Sequence, residues 1–186
     1  RRRRGQVPTC VSAVHTDAGK VVVGYCGGFV GLFDGVSGTL ENVAGLSARP
    51  QVAWDDVRDA PCDVCAQPNK ITTHTSLPLT VSVHEDGSLR LLDLRTWHNI
   101  HTQQAHSGPA TALAIQPSGL QILTGGVDGF VRTWDVRKQA MMLYETHLHS
   151  GKLGEACCTV AFHPTLPMLA SGGADGRVNI LSQGVR

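Results

Sequence analysis

The sequence predicts an all-β fold made of repeated antiparallel units, on three observations. A short segment recurs four times. It is clearest as Gly125-Gly126-Val127-Asp128-Gly129-Phe130-Val131-Arg132-Thr133-Trp134-Asp135, returns at His84–Asp93 and Gly173–Leu181, and is weakest at Tyr25–Asp34. In three copies its centre is Asp-Gly between two short β-rich runs, the strongest short-range signal of a hairpin. The hairpin aspartates Asp86, Asp128 and Asp175 stand about 42 and 47 residues apart. A period of about 40–45 residues, four strands per unit and a closing Trp-Asp mark the blade of a β-propeller.

Each hairpin is preceded by another strand that ends in a polar turn. Val11–Val14 runs into His15–Gly19, Lys70–Thr73 into His74–Pro78, Thr111–Ile115 into Gln116–Gly119, and Thr159–Phe162 into His163–Pro167. A fourth strand follows some hairpins, as at Ala140–Glu145. Each unit is thus a four-stranded meander. The expected blades span about 7–45, 69–104, 105–146 and 147–182, with an insertion over 46–68 and a basic linker remnant over 1–6. After Ile180-Leu181-Ser182 only four residues remain, so the last unit is expected to lack its fourth strand. Rings of this kind have about 4–8 blades. The expectation is therefore four blades of a seven-bladed ring, the C-terminal half, with N-terminal blades needed for closure. The missing initiator Met fits a fragment of a longer product.

The bulk numbers suit that fold. The chain has 186 residues, 41% of them apolar, enough for a real core, and 21 Gly for tight turns. No apolar run approaches the ~20 residues of a membrane span. A formal net charge of +1 argues against nucleic acid or an anionic membrane as partner. Arg1–Arg4 read as the tail of a linker, since no aromatic or further basic cluster supports a nucleic-acid arm. Six Cys without a secretory signal point to reduced thiols and a cytoplasmic chain, with a nuclear location the alternative.

His106, Thr124 and Asp128 contain the ingredients of a base, a nucleophile and an orienter. Repetition argues against catalysis. His149, Ser171 and Asp175 match them in the fourth blade, and Asp86 marks the same turn in the second. Catalysis needs one such set, whereas a repeated fold needs one per blade. A chain from Asp128 through His106 and Thr124 to the Trp134 indole would satisfy four buried polar groups and tie the strands together. With no unique catalytic set and no phosphate-cradling glycine loop, neither enzymatic activity nor a cofactor is expected.

These residues resemble those of WD-repeat proteins, and the third blade carries the family's complete tetrad. Gly27 stands where Asp is expected in the first blade, and Leu92 and Leu181 stand in the Trp position of the second and fourth. Those blades are expected to rely more on apolar packing. Val7–Val11, the Thr73–Pro78 turn, Leu79–Asp86, Gln116–Leu120 and the run from Thr159 through Asp175 resemble, in that order, the C-terminal blades of striatins. The resemblance implies a protein-interaction scaffold, a regulatory subunit of protein phosphatase 2A that assembles the phosphatase with kinases. The family's coiled coil, on which phosphatase association mainly depends, lies N-terminal to the propeller and outside this chain. The alternative is a WD-repeat adaptor of another complex, in RNA processing or ubiquitin ligation.

The residue before each hairpin turn varies, being Cys26, Glu85, Val127 or Ala174, and is expected near the rim of the ring. Variation is what recognition requires, so these four and His84 are the candidate partner contacts. Cys62-Asp63-Val64-Cys65 has the spacing of half a zinc site, but a second half is missing, and adjacent Cys157 and Cys158 suit tetrahedral zinc poorly. No metal is therefore expected. Asp55, Asp56, Asp59 and Asp63 around Trp54 make the insertion either an acidic partner patch or a tolerated loop.

Overall fold

Four meanders follow one another along the chain in a computed structural model that describes residues 7–45, 67–150 and 156–182. The first blade holds β1 (Pro8–Ala13), β2 (Lys20–Tyr25), β3 (Phe29–Asp34) and β4 (Leu40–Gly45). The second holds β5 (Pro68–Thr73), β6 (Leu79–His84), β7 (Ser88–Asp93) and β8 (Asn99–Gln104). The third holds β9 (Ala110–Ile115), β10 (Gln121–Gly126), β11 (Phe130–Asp135) and β12 (Met141–His147). The fourth has three described strands, β13 (Cys157–Phe162), β14 (Met168–Gly173) and β15 (Val178–Ser182). In every sheet the strands pair antiparallel in chain order, and no described sheet closes on itself. The β12 strand begins at Met141 rather than Ala140. Gln139 and Ala140 take left-handed backbone (φ 52° and 55°) after a 3-10 turn at Val136–Lys138, which keeps Ala140 out of the ladder.

The core lies between the sheets. Val14, Val22, Leu32, Ile71, Leu92 and Trp97 fill the junction of blades one and two. Val81, Leu89, Leu91, Leu113, Ile122 and Trp134 fill that of blades two and three. Ala112, Leu123, Val131, Cys157, Val160 and Leu169 fill that of blades three and four. Blade two is covered on both faces, so β6 is buried along its whole length, Thr80, Ser82 and His84 on one face as well as Leu79, Val81 and Val83 on the other. Leu92 and Leu181, which replace tryptophan, pack into the first and third of these cores.

The first strands of successive blades lie side by side, β1 on β5, β5 on β9 and β9 on β13. The second residue of each reaches across to the next blade. Thr9 Oγ1 donates to the Pro68 carbonyl at 2.6 Å and Asn69 Nδ2 to the Ala110 carbonyl at 3.1 Å. Thr111 Oγ1 donates to the Cys157 carbonyl in the same way. The hairpins are tied forward too. Gly129 adopts φ 81°, a backbone that favours glycine, and its carbonyl accepts from the amides of Leu148 and His149. Gly87 does the same for Ala105 and His106. The hairpins of blades two and three therefore hold the loops that carry the next blade's histidine. Cys62, Cys65, Trp54 and the insertion's aspartates lie outside the described residues.

Candidate functional site

The hairpin ends of the blades hold the polar groups singled out by the repeat. In blade three the approach loop brings His106 over the end of β10. Its Nδ1–H donates to Asp128 Oδ1 at 2.9 Å, and its Nε2 accepts from the Thr124 hydroxyl at 2.9 Å. The Trp134 indole donates to the same hydroxyl at 2.9 Å. Asp128 is engaged further by the Ser107 amide (3.2 Å), the Phe130 amide (3.2 Å) and Arg132 Nη1 (2.9 Å). Arg132 Nε also donates to Glu145 Oε2 at 2.6 Å, carrying the network from the turn to the outer strand β12.

Blade four repeats the pattern with smaller groups. His149 meets Asp175 Oδ1 at 3.1 Å and Ser171 Oγ at 2.8 Å. Asn179 stands where blade three has Arg132, and its amide donates to the Leu148 carbonyl at 3.2 Å. Leu181 supplies no indole donor.

Blade two builds its clasp differently. Residues 46–67 contain no histidine, so the segment leading into blade two has no imidazole to offer, and residues 1–7 contain none either. His84 supplies the ring instead, from the last residue of β6. It is fully buried, and its Nε2 lies 2.9 Å from Ser82 Oγ, as His106 lies on Thr124. Asp86 is held by Ser88 (2.9 Å from the amide, 2.6 Å from the hydroxyl) and by Arg90 Nη2 at 2.6 Å. Tyr25 occupies the same strand position in blade one, packed with Phe29 and Val43 in an apolar cluster.

The strand-end residue is thus Tyr25, His84, Gly126 and Gly173 in turn, and the glycines belong to the blades with a loop histidine. A Cβ on Gly126 would sit 2.4 Å from His106 Nδ1, and one on Gly173 2.3 Å from His149 Nδ1. One space above the sheet takes one ring, from the loop or from the strand, and never both.

Two of the proposed partner contacts are corrected by this geometry. His84 cannot be a surface contact, because its ring fills that buried space. Cys26 is buried as well, and the Val7 amide points to its sulfur at 3.4 Å. The other three stand in one register. The amides of Glu85, Val127 and Ala174 bond the carbonyls of Gln67, Pro109 and Ala156, each just before its blade's first strand. Ala174 is exposed, while Val127 and Glu85 are half-buried. Glu85 also accepts from Asn69 at 2.8 Å, the residue that reaches across to blade three.

The electrostatics fit a clasp rather than a reactive centre. Burial holds His106 below its ordinary value of 6.5, outweighing the pull of Asp128, and Arg132 Nη1 only 2.7 Å from Nδ1 adds to the effect. Burial pushes Asp128 up, but the bonds from Arg132 and His106 outweigh it and bring it to about 2. The imidazole stays neutral and the carboxylate charged. Both shifts mean that the unfolded chain binds more protons, so stability rises with pH. His106's contribution is complete above about pH 6.5 and is lost as pH falls through its lower folded value. Asp128's is lost below about pH 4. The melting temperature is expected to fall between pH 7 and 5, with a shallower slope in His106→Ala.

Cys157 is buried, which raises its thiol to about 11 and makes it a poor nucleophile. Among the described residues no three His, Cys, Asp or Glu side chains converge as metal ligands. No described helix is long and apolar enough to cross a membrane.

Comparison with known proteins agrees with this architecture. The family model "WD domain, G-beta repeat" matches residues 97–135 and 143–181. Striatin of Mus musculus is 28% identical over 174 residues, covering 94% of this chain and 21% of that protein. Striatin-4 of Mus musculus is 32% identical over 178 residues with the same coverage. The chain therefore spans about a fifth of the length of these relatives. Among solved structures, the computationally designed Ika4 protein superposes with a TM-score of 0.70 at 18% identity, over 96% of this chain and 92% of that one, a likeness of fold alone. With the clasp of blade three complete, the family model matched across blades two to four and striatins aligned over 94% of its length, the chain belongs to the WD-repeat proteins.

Proposed function

We propose that the chain is the interaction module of a striatin-like scaffold, one that assembles protein phosphatase 2A with kinases in the cytoplasm. The observation that carries this reading is a contrast within one register. The clasp groups recur, while the rim residue beside them changes from Glu85 to Val127 to Ala174. The recurring groups satisfy the fold's own buried polar atoms, which leaves the variable ones to select a protein surface. The chain is read as non-enzymatic because, among the described residues, the base-carboxylate-hydroxyl sets serve the sheets that hold them.

The test is co-purification with the intact protein bearing Val127→Arg and Ala174→Arg. With the phosphatase held through the coiled coil, loss of kinase and adaptor subunits at an unchanged melting temperature is expected. Undiminished recovery of those subunits would sink the rim assignment. Recovery of RNA-processing or ubiquitin-ligase components in their place would sink the striatin-like one.

A further inference from the structure

Blades two and three each have four described strands, and a groove opens between their outer strands. Its volume is about 520 Å³. On one side stands β8, where Gln103 pairs with Leu89 and so faces the junction of the two blades. On the other stands β12, where Met142 and Glu145 pair with Trp134 and Arg132. The buried Trp134 and Ala105 lie along the floor, and His106 and Ser107 stand at the head.

The turn between the third and fourth strands shapes the foot. Trp97 stands two residues before the partner of Leu92, and Ala140 two residues before the partner of Trp134. Both are buried at a blade junction, Trp97 against blade one and Ala140 against blade two. A methyl group in the place of an indole leaves room at the foot of the groove.

The two ends differ in chemistry. At the foot Met141 and Met142 are each 47% exposed, and their unbranched thioethers adapt to an apolar side chain. At the head the Glu145 side chain is 39% exposed. Its Oε2 accepts from Arg132 Nε at 2.6 Å, and its Oε1 has no partner among the described residues. Arg132 also meets Asp128 at 2.9 Å, so two carboxylates share one guanidinium and the head holds one negative charge in excess. Gln103 and Gln139 add side-chain amides, which donate and accept as a peptide backbone requires. Met141 to Glu145 covers about 13 Å of strand, the span of about four extended residues.

We propose that this groove binds an extended segment of a partner protein, with an arginine or lysine of that segment on Glu145 and an apolar side chain against Met141 and Met142. The excess carboxylate attracts a basic segment and repels an acidic or phosphorylated one. The thioethers and the floor supply the apolar contact. None of Glu85, Val127 and Ala174 lines the groove, so the site stands or falls separately from the rim assignment.

Fluorescence anisotropy with the intact protein and three labelled heptapeptides tests the site. GKRSLLG carries both features, GDESLLG reverses the charge and GKRSSSG removes the apolar pair. GKRSLLG is expected to bind, and the other two at least about tenfold more weakly. Glu145→Gln keeps an acceptor for Arg132 but removes the charge, and Met142→Ser removes a thioether. Each should weaken GKRSLLG about tenfold while keeping the far-ultraviolet spectrum of a folded sheet. Glu145→Gln should also erase most of the preference over GDESLLG. No saturable binding of GKRSLLG, equal binding of the three peptides, or undiminished binding in either variant would each overturn the proposal.

Discussion

His106→Ala is expected to lower the free energy of unfolding by about 3 kcal/mol, read from urea denaturation at constant m-value. The imidazole is buried and both its nitrogens are used, one by Asp128 and one by Thr124. Removing it strips Asp128 of its imidazole donor and Thr124 of the acceptor for its hydroxyl proton. It also leaves a ring-sized hole between blade and loop, which adds a cavity cost. Arg132 remains on Asp128, so the carboxylate is not wholly abandoned, and that sets the estimate near the lower end for a broken buried network. For a domain whose total stability is about 5–15 kcal/mol, this is a large share.

Gly126→Ala is expected to cost about as much, although it adds only one methyl. The new carbon would stand 2.4 Å from His106 Nδ1, 2.6 Å from its Cγ and 2.9 Å from Asp128 Oδ1. The ring cannot yield without leaving Thr124 or Asp128, and its loop is held by backbone bonds to Gly87. Overpacking alone costs about 1–3 kcal/mol, and the displaced hydrogen bonds add to it. The same substitution at Gly38, where a Cβ would meet nothing within 4 Å, makes a useful contrast. There only the left-handed backbone, φ 69°, opposes the change, and the loss should be about 1 kcal/mol.

Repetition made much of this legible before any coordinates. The Asp-Gly turns, the strands on either side and the partnership of Asp128, His106, Thr124 and Trp134 all follow from residue types at matching positions, because hairpin geometry is local and buried polar groups must pair. What escaped was the alternative source of the ring. Aligned by sequence, His84 is merely the residue before the rim residue Glu85, and successive strand residues point to opposite sides. Glu85 faces the rim and His84 the buried space over Ser82. The signal was present as a correlation inside the chain. Glycine stands at 126 and 173, where the loop carries a histidine, and a ring stands at 25 and 84, where it does not. Cys26 was misplaced for another reason. Blade one lacks the turn aspartate, and the Val7 amide, just ahead of β1, closes over the thiol.

The central claim is that one space per blade holds one ring, whichever segment supplies it. It is tested most directly by a double-mutant cycle of His106→Ala with Gly126→His, measured by urea denaturation. The second change gives blade three the arrangement of blade two, in which the strand end offers its own imidazole to the hydroxyl two residues earlier. Each single change should destabilise, and the pair should be more stable than the sum predicts by at least about 1 kcal/mol. Strictly additive losses would contradict the claim.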